Sequence, residues 1–366
     1  MNWRSDGEGL SLSPRDLRVM AQCRMPAAEP FRREHPHPAL PPLWSVLSYV
    51  MLRCPSEHEN IWKNYRILRE MAADTGKWYD SIYIPKAGGG ARKISVPSWP
   101  LVRQQMFIGE NILNTLPVSD HAFAYRKGRS IADCARPHLN RDVLIHLDIR
   151  NFFGSVTEDM VYEALWEQTG YAGSLCRFLA RMCCLEGSLP QGAASSPALS
   201  NIVFRHCDEA LAAVAQNYAM VYTRYSDDLF FSGSAAVPVG EVLGKITETL
   251  RAWGFRVNGE KTKVLRRQHR QQVLGLTVNA RLQVTREYRR KLIQELYYLE
   301  KFGENCEGAI ELGDYGKYLQ QLQGKLAYVL HMDPDNRKLR EAQGKLHLRI
   351  RQYAARQEPG PFYTGF

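Results

Sequence analysis

The tetrapeptide Tyr225-Ser226-Asp227-Asp228 lies between two apolar stretches, Met220–Arg224 and Leu229–Phe231. Short apolar runs on either side of a polar break predict a β-hairpin with the acidic pair at its turn. Two neighbouring carboxylates repel each other unless they are solvated or face cations. An isolated Asp-Asp pair is more often part of a solvated turn than of a metal site. Other parts of the chain are therefore needed to choose between these two interpretations.

A third acidic residue, Asp148, ends an apolar stretch at Val143–Leu147 that is predicted to form a strand. Sheet pairing between this strand and the hairpin would bring Asp148 beside Asp227. Carboxylates grouped in this way hold Mg²⁺, and two such ions activate a hydroxyl and stabilise a pyrophosphate leaving group. The pattern therefore predicts a two-metal site at Asp148, Asp227 and Asp228.

Helical and extended patterns are mixed along the chain without strict alternation. The predicted strands are Trp78–Pro85, Ile94–Val96, Val143–Leu147, Met220–Arg224, Leu229–Phe231 and Val273–Val278. The predicted helices are 13–23, 43–54, 59–73, 101–115, one that begins at Thr157, 197–217, one that ends at Gly254, and the basic segment from Arg286 onward. This mixture favours an α+β fold with an antiparallel sheet.

The composition is that of a basic globular protein. Of 366 residues, 45% are hydrophobic and 23% are charged, and the net charge is +10. A positive balance favours a polyanionic partner, because each phosphate contact releases counterions. The eight cysteines include no Cys-x-x-Cys pair, so we expect buried, reduced thiols. No apolar run reaches the roughly 18 residues of a membrane span and no signal pattern is present, so we expect a cytoplasmic protein with no membrane partner.

From about Trp44 to Leu339 the chain resembles bacterial reverse transcriptases, because its motifs occur in that family's order. Residues 225–228 match the family signature Tyr-x-Asp-Asp, with Ser where many relatives have Ala. Asp148 matches the family's other metal-binding aspartate. The resemblance implies two Mg²⁺ ions, with Mn²⁺ as a possible substitute, and makes the backbone carbonyl of Ile149 a further ligand.

The same resemblance implies a right-hand polymerase fold, as an α+β arrangement of fingers, palm and helical thumb. We expect fingers at 43–140, a palm with an antiparallel sheet and packed helices at 141–280, and a basic thumb with a tail at 281–366. A Pro- and Arg-rich arm is expected at 1–42. Little chain follows Leu339, so we expect no ribonuclease H or endonuclease domain.

Five residues are candidate nucleotide ligands by this resemblance: Lys86, Arg92, Phe153, Gln191 and Lys261. Lys86 and Arg92, which lie in the 84–93 hairpin, would hold the triphosphate, although a solvated basic turn is the alternative. Phe153 would select deoxynucleotides by excluding a ribose 2′-hydroxyl, and the alternative is that it and Phe152 are both core. Gln191, in a Pro-Gln-Gly block, would bond near the nucleotide, unless the block is simply a helix start. Lys261, or its neighbour Lys263, would lie near the leaving pyrophosphate.

Two motifs resemble those of retron reverse transcriptases in part. Residues 134–138 share Ala135 and His138 with the retron pattern Asn-Ala-x-x-His, but Cys134 differs. Residues 273–275 share the Val and Gly of Val-Thr-Gly, with Leu274 in place of Thr. The strand 273–278 would grip the primer, so Val273, Leu274 and Gly275 are candidate RNA or primer ligands. His138 is another, with a structural histidine as its alternative.

An apolar stripe of Tyr315, Leu319, Leu322, Leu326 and Val329 is predicted to pack the thumb inward. Lys317 and Lys325 lie beside this stripe and are the candidate RNA-binding cations of the thumb. A charged helix face that is merely solvated is the alternative for both.

The retron resemblance implies an RNA-directed DNA polymerase that copies a cognate structured noncoding RNA, using deoxynucleoside triphosphates, from a guanosine 2′-hydroxyl. The implied product is an RNA-linked single-stranded DNA (msDNA) that acts with effector proteins in antiphage defence. The alternatives are another bacterial reverse transcriptase, either intron-like or defence-associated, an RNA-dependent RNA polymerase, and a catalytically inactive RNA-binding scaffold.

Overall fold

The computed structural model describes residues 67–85 and 89–357. The predicted arm 1–42, the predicted helices 13–23 and 43–54, Lys86 and residues 358–366 lie outside the described residues. Residues 67–73 are helical, in agreement with the end of the helix predicted at 59–73.

Nine strands are found in the described residues, and five of the six predicted strands correspond to one of them. They are β1 Tyr79–Pro85, β2 Ala91–Pro97, β3 Val143–Asp148, β4 Val221–Tyr225, β5 Asp228–Gly233, β6 Lys263–Arg266, β7 Gln272–Val273, β8 Leu276–Thr277 and β9 Gln283–Val284.

Twelve named α-helices account for most of the remaining described chain. They are α1 Trp99–Asn111, α2 Ile131–Ala135, α3 Phe152–Ser155, α4 Glu158–Thr169, α5 Gly173–Cys183, α6 Ser196–Val203, α7 Arg205–Asn217, α8 Val239–Ala252, α9 Arg286–Phe302, α10 Glu307–Leu312, α11 Tyr315–Met332 and α12 Arg337–Gln357. Short 3₁₀ helices include Arg136–His138 and Gly259–Lys261.

Sequence signals explain several of these boundaries. Thr157 caps α4 by accepting a hydrogen bond from the Met160 amide, so this helix begins at the residue that the sequence predicts. Gly254, two residues beyond α8, has φ +81°, the left-handed conformation typical of a helix end. Asp314 caps α11 in the same way as Thr157, by accepting from the Lys317 amide.

The strands form three sheets. β1 and β2 pair antiparallel, with Ile84 opposite Arg92. The central sheet has the strand order β4-β5-β3-β6, and the third has the order β7-β8-β9 with antiparallel pairing. Only two residues, Ser226 and Asp227, join β4 to β5, and so short a loop joins antiparallel neighbours. The mixed α+β class is therefore confirmed.

Two predicted elements are interrupted in the structure. The predicted helix 197–217 is two helices, α6 and α7, which meet at Phe204 (φ −78°, ψ −3°). The buried Phe204 ring packs against Phe152 and Phe255, at centroid distances of 5.5 and 4.7 Å. The predicted strand 273–278 is a hairpin, because Leu274 (φ 51°) and Gly275 (φ 79°) make a tight turn between β7 and β8.

The described chain forms two compact units. The first contains residues 67–85 and 89–129 together with His146–Phe230 and Val237–Lys263, and the second contains Ser130–Ile145, Phe231–Ala236 and 264–357. The predicted boundaries of fingers, palm and thumb stay a prediction.

Each unit has its own apolar core. In the first unit the largest fully buried apolar side chains are Met71, Leu101, Ile112, Leu113, Tyr171, Phe204 and Phe230. In the second unit the predicted stripe of α11 is buried at Leu319, Leu322, Leu326 and Val329. Burial of each such side chain contributes roughly 1.5–3 kcal/mol.

Six described cysteines, Cys134, Cys176, Cys183, Cys184, Cys207 and Cys306, are buried and form no disulfide, as expected from the sequence. Burial raises the pKa of the Cys183 thiol to about 12.

Along residues 67–85 and 89–357, no helix combines the length and the hydropathy needed to cross a membrane.

Candidate active site

The hairpin turn between β4 and β5 presents Asp227 and Asp228. Ser226, which precedes them, has φ 60° and turns the chain sharply. Both aspartates are half-buried, whereas Leu229 and Phe230, which follow, are buried. The turn therefore holds two carboxylates at the edge of an apolar core.

Backbone hydrogen bonds bring Asp148 to the same place. Asp148 is the last residue of β3 and is 6% exposed. The next amide, that of Ile149, donates to the carbonyl oxygen of Asp227 at 2.9 Å. The carbonyl oxygen of Asp148 accepts from the Asn258 amide at 2.8 Å. Two separate stretches of sequence thus converge, as their apolar patterns predicted.

The electrostatics of Asp227 reflect this convergence. Its pKa is raised, first by burial and then by the negative charges of Asp228 and Asp148, and hydrogen bonds from its own amide and from Ser226 oppose the shift. Asp227 therefore lies within reach of the negative charges of Asp148 and Asp228, and cations bind such an anionic cluster favourably.

Side chains from other parts of the first unit contact Asp148 and Asp228. Lys261 donates to Asp148 Oδ2 at 2.8 Å, and the Asn258 side-chain amide donates to Oδ1 at 3.0 Å. The hydrogen bond to Asp148 raises the pKa of Lys261, against a smaller effect of burial. His146 Nε2 lies 2.6 Å from Asp228 Oδ1, and its ring stacks on Phe230 at 4.7 Å.

A buried ion pair contacts the turn between β4 and β5 from the interior of the first unit. Arg224 and Asp208 are both fully buried and are joined by two hydrogen bonds of 2.8 and 2.7 Å. The Tyr222 hydroxyl donates to Asp208 at 2.7 Å, and Arg224 donates to the carbonyl of Ser226 at 3.1 Å. Sequence reasoning missed this network, because Arg224 is only the polar end of a predicted strand.

The Pro-Gln-Gly block lies against the β1–β2 hairpin. The Ser95 amide in β2 donates to the carbonyl of Gln191 at 2.8 Å. Gly192 has φ +120°, and a Cβ there would lie 2.4 Å from the Ser95 carbonyl oxygen. Gln191 is half-buried, and Arg92 is exposed near the end of the hairpin. The structure thus places Gln191 beside the strand that carries Arg92.

The two adjacent phenylalanines occupy different environments. Phe152 is 2% exposed and packs on Phe204 and Phe255, so it belongs to the core. Phe153 is half-buried, and its ring centroid lies 6.4 Å from that of Tyr125. The arrangement in which both rings are core is therefore not observed.

His138 is a buried structural histidine, which is the alternative stated for it from the sequence. Its side chain is fully buried, and Nδ1 lies 2.7 Å from the hydroxyl of Ser232. Burial lowers its pKa to about 3. The expected direct contact with RNA or primer is corrected here, because a ring without exposed surface cannot touch a nucleic acid.

The remaining RNA or primer candidates differ in accessibility. Val273 is buried, Leu274 is half-buried and Gly275 is exposed at the turn. Lys317 is exposed on α11. Lys325 instead bonds to Glu295 at 2.7 Å, which already neutralises its charge within the protein.

The donor chemistry of the cluster suits a hard cation. Carboxylates and a backbone carbonyl are the oxygen ligands that Mg²⁺ takes. Across the two described ranges, however, no group of three His, Cys, Asp or Glu side chains is arranged as a ready-made metal site. Asp148 and Asp228 are bonded to Lys261 and His146 instead, so metal binding would rearrange these contacts. Asp148, Asp227 and Asp228 fit the ion by donor type.

Several known proteins are similar to this chain in sequence. The family model described as reverse transcriptase (RNA-dependent DNA polymerase) matches residues 84–278. The Retron Mx65 reverse transcriptase of Myxococcus xanthus is 35% identical, over 70% of this chain and 62% of its own length. The Retron Mx162 reverse transcriptase of the same organism is 32% identical, over 71% of this chain and 59% of its own length.

The matched part of this chain thus spans about three fifths of the length of these two relatives. Among solved structures, the apo telomerase from Candida tropicalis has a TM-score of 0.45 and 13% identity, over 76% of this chain and 57% of that chain. That score is too low to support an argument about the fold. The family model covers more than half of the residues, and the chain therefore belongs to the reverse transcriptase (RNA-dependent DNA polymerase) family.

Proposed function

We propose that this chain is a retron-type RNA-directed DNA polymerase that copies part of a structured noncoding RNA into RNA-linked single-stranded DNA. The observation that carries the proposal is the convergence of Asp148 with the Asp227–Asp228 turn through the 2.9 Å hydrogen bond between Ile149 and Asp227. Family membership and the retron relatives support the same chemistry. We assign the fold as a right hand, with these carboxylates in the palm.

In this proposal Asp148, Asp227, Asp228 and the Ile149 carbonyl hold two Mg²⁺ ions, for which Mn²⁺ can substitute. When bound, the ions supply Lewis-acid activation of the attacking hydroxyl and of the pyrophosphate leaving group. Asp227 and Asp228 also orient the primer end, because they project from a turn that is fixed by Arg224. The first bond joins a guanosine 2′-hydroxyl of the RNA to the α-phosphate of a deoxynucleotide.

The nucleotide residues have separate tasks. Lys86 and Arg92 bind the triphosphate, and Arg92 is exposed as that task requires. Phe153 excludes the 2′-hydroxyl of a ribonucleotide, and Gln191 bonds near the nucleotide from a loop fixed against β2. Lys261 is 60% exposed and approaches the leaving pyrophosphate once it releases Asp148.

The partners follow from the same proposal. The noncoding RNA serves as template and primer, and its phosphates meet exposed cations such as Lys317. The Leu274-Gly275 turn contacts the primer, since its residues are not fully buried. An effector protein and a role in antiphage defence complete the proposal, on the strength of the retron resemblance.

The test is to purify the chain from cells that contain its cognate noncoding RNA and to sequence the bound nucleic acid. We expect an RNA joined to short DNA, and treatment with an enzyme that cleaves 2′–5′ bonds should separate the two. The double variant Asp227→Asn, Asp228→Asn should retain RNA but carry no DNA. Asp335→Asn, which changes an exposed aspartate of the second unit, is the matched control and should retain both.

A second candidate is a different bacterial reverse transcriptase, because Cys134 and Leu274 depart from the retron motifs. DNA extended from a 3′ end, without a 2′–5′ bond, would favour that enzyme over the retron type. RNA alone in the wild-type preparation would instead favour a catalytically inactive scaffold.

A further inference from the structure

Tyr125 has an unusual conformation beside the candidate active site. Its backbone φ is 61°, in the left-handed region that bulky residues rarely adopt. Its side chain is nevertheless 50% exposed, so burial of the ring does not account for the strain. Strained residues of this kind persist only where neighbouring groups hold them, and they concentrate at functional sites.

The chain before Tyr125 is fixed to β4. Ala122 forms a parallel bridge with Arg224, and the Phe123 amide donates to the Arg224 carbonyl at 2.9 Å. The Asn201 side chain donates to the carbonyl of Ala124 at 2.8 Å. Because this segment runs parallel to β4, it delivers Tyr125 to the turn that follows Arg224.

At that turn the Tyr125 hydroxyl lies 2.9 Å from Ser226 Oγ. Ser226 immediately precedes Asp227, and it also has a left-handed backbone, with φ 60°. Burial and the nearby charge of Asp227 raise the pKa of Tyr125, so its hydroxyl stays protonated and able to donate at neutral pH. One hydrogen bond thus joins two strained residues.

The ring of Tyr125 also faces the candidate sugar-selecting residue. Its centroid lies 6.4 Å from that of Phe153, with 51° between the ring planes. The hydroxyl is held by protein, while half of the side chain remains accessible. Exposed aromatic faces that are fixed in position are suited to packing against bases and sugars.

We infer that Tyr125 is a nucleotide-positioning residue: its hydrogen bond to Ser226 fixes an aromatic surface beside Phe153, against which the sugar of the incoming nucleotide packs. The inference rests on the proposed polymerase function and deepens it. Tyr125 contacts the sugar next to Phe153 and does not take part in proton or phosphoryl transfer.

Three variants test this inference by a double-mutant cycle. Tyr125→Phe and Ser226→Ala each remove one hydroxyl of the pair, and the third variant combines them. Each single variant should raise the KM for deoxynucleotides and lower the preference for deoxy- over ribonucleotides by roughly two- to tenfold. The kcat for deoxynucleotides should change less, because the bond positions the ground state. The double variant should be no worse than Ser226→Ala alone, since Ser226→Ala already removes the bond that Tyr125→Phe removes.

Two controls calibrate these measurements. Phe153→Ala should lose sugar preference by a larger factor than Tyr125→Phe. Tyr218→Phe removes a hydroxyl that donates to Glu241 at 2.7 Å on an exposed surface of the same unit, and it should match wild type in KM and selectivity. Thermal unfolding of each variant shows whether the fold is retained.

Three results would overturn the inference. Wild-type KM and selectivity in Tyr125→Phe would show that the hydroxyl has no role, and additive losses in the double variant would show that the two hydroxyls act separately. A fall in melting temperature and kcat at unchanged KM would assign the bond to stability alone. If wild type itself makes no DNA, the proposed function fails first, so the two failures are distinguishable.

Discussion

The carboxylates of the candidate site are held by residues that lie outside the Tyr-Ser-Asp-Asp signature. Asn258 and Lys261 hold Asp148, whereas the buried Arg224 fixes the Ser226 carbonyl at the turn. Fully buried charges are costly unless they are paired and fully hydrogen-bonded. Removing one partner of the Arg224–Asp208 pair therefore measures how much this buried ion pair contributes to stability.

We expect Asp208→Ala to lower the free energy of unfolding by about 3–5 kcal/mol, because it leaves the Arg224 charge buried without a partner. The control is Glu341→Ala, since Glu341 pairs with Arg337, which is 92% exposed, and such pairs contribute at most about 1 kcal/mol. Urea unfolding of both variants measures the difference. Similar losses of unfolding free energy in Asp208→Ala and Glu341→Ala would contradict an Arg224 that is buried away from solvent and paired.

His138 predicts a specific dependence of stability on pH. Burial, followed by the charge of Arg141, lowers its pKa from 6.5 to about 3, so the folded protein keeps the ring neutral. Between these values the unfolded chain binds more protons than the folded one, so stability falls as pH is lowered through this window. From pH 7.5 to 5, wild type should lose about 2 kcal/mol more than His138→Gln.

The measurement is urea unfolding of wild type and His138→Gln at both pH values. Other titrating groups are common to the two proteins, so the difference between their losses isolates His138. Equal losses, or a greater loss in the variant, would contradict a histidine that stays neutral in the folded protein.

At the scale of elements, the sequence predicts the hairpins and helix starts that depend on residues close together in the chain. The β4–β5 hairpin follows from two apolar runs and a short polar break, and the Thr157 cap follows from its own side chain. The turn at Leu274-Gly275 was missed, because Val-Leu-Gly-Leu reads as a continuous apolar strand and Leu rarely adopts a positive φ.

Site partners that are distant in sequence were not predictable in the same way. His146 is 82 residues from Asp228, Tyr125 is 101 from Ser226, and Asn258 is 110 from Asp148. None of these contacts leaves a periodic signal in the chain, because each depends on how strands and loops assemble. The family resemblance identified the carboxylates but carried no information on these contacts.

The loop between α5 and α6 gives a prediction about Gly192. A Cβ at this position would meet the Ser95 carbonyl oxygen at 2.4 Å, and φ is +120°, so Gly192→Ala should push the Gln191 loop away from β2. Gly187→Ala is the matched control, because Gly187 also has a positive φ (+78°) but open space around its Cβ. Gly192→Ala should cost about 1–3 kcal/mol more in stability than this control.

Unfolding measurements and a nucleotide titration check this prediction together. Gly192→Ala should also raise the KM for deoxynucleotides, since Gln191 is displaced from β2. Equal stability losses in the two variants would mean that backbone conformation, and not contact with β2, sets the requirement for glycine.

At the scale of the whole molecule, a net charge of +10 predicts a polyanionic partner but does not say which cations meet it. The structure separates two lysines that the sequence treated alike. Lys317 is exposed on α11, whereas the Lys325 ammonium bonds to Glu295 at 2.7 Å and its side chain is 35% exposed. A charge that is neutralised within the protein releases few counterions on binding RNA.

Lys317→Gln and Lys325→Gln should therefore affect RNA binding differently. The affinity of wild type for the noncoding RNA should fall steeply between about 50 and 200 mM salt, and Lys317→Gln should reduce the slope of log K against log salt by about one. Lys325→Gln should leave that slope nearly unchanged and lower stability instead, because it leaves Glu295 without its cation. Filter binding across the salt series, with urea unfolding of both variants, measures the two effects. The opposite result is a smaller slope of log K against log salt in Lys325→Gln and an unchanged slope in Lys317→Gln. It would mean that the Lys325–Glu295 ion pair opens when RNA binds and that Lys317 contacts only solvent.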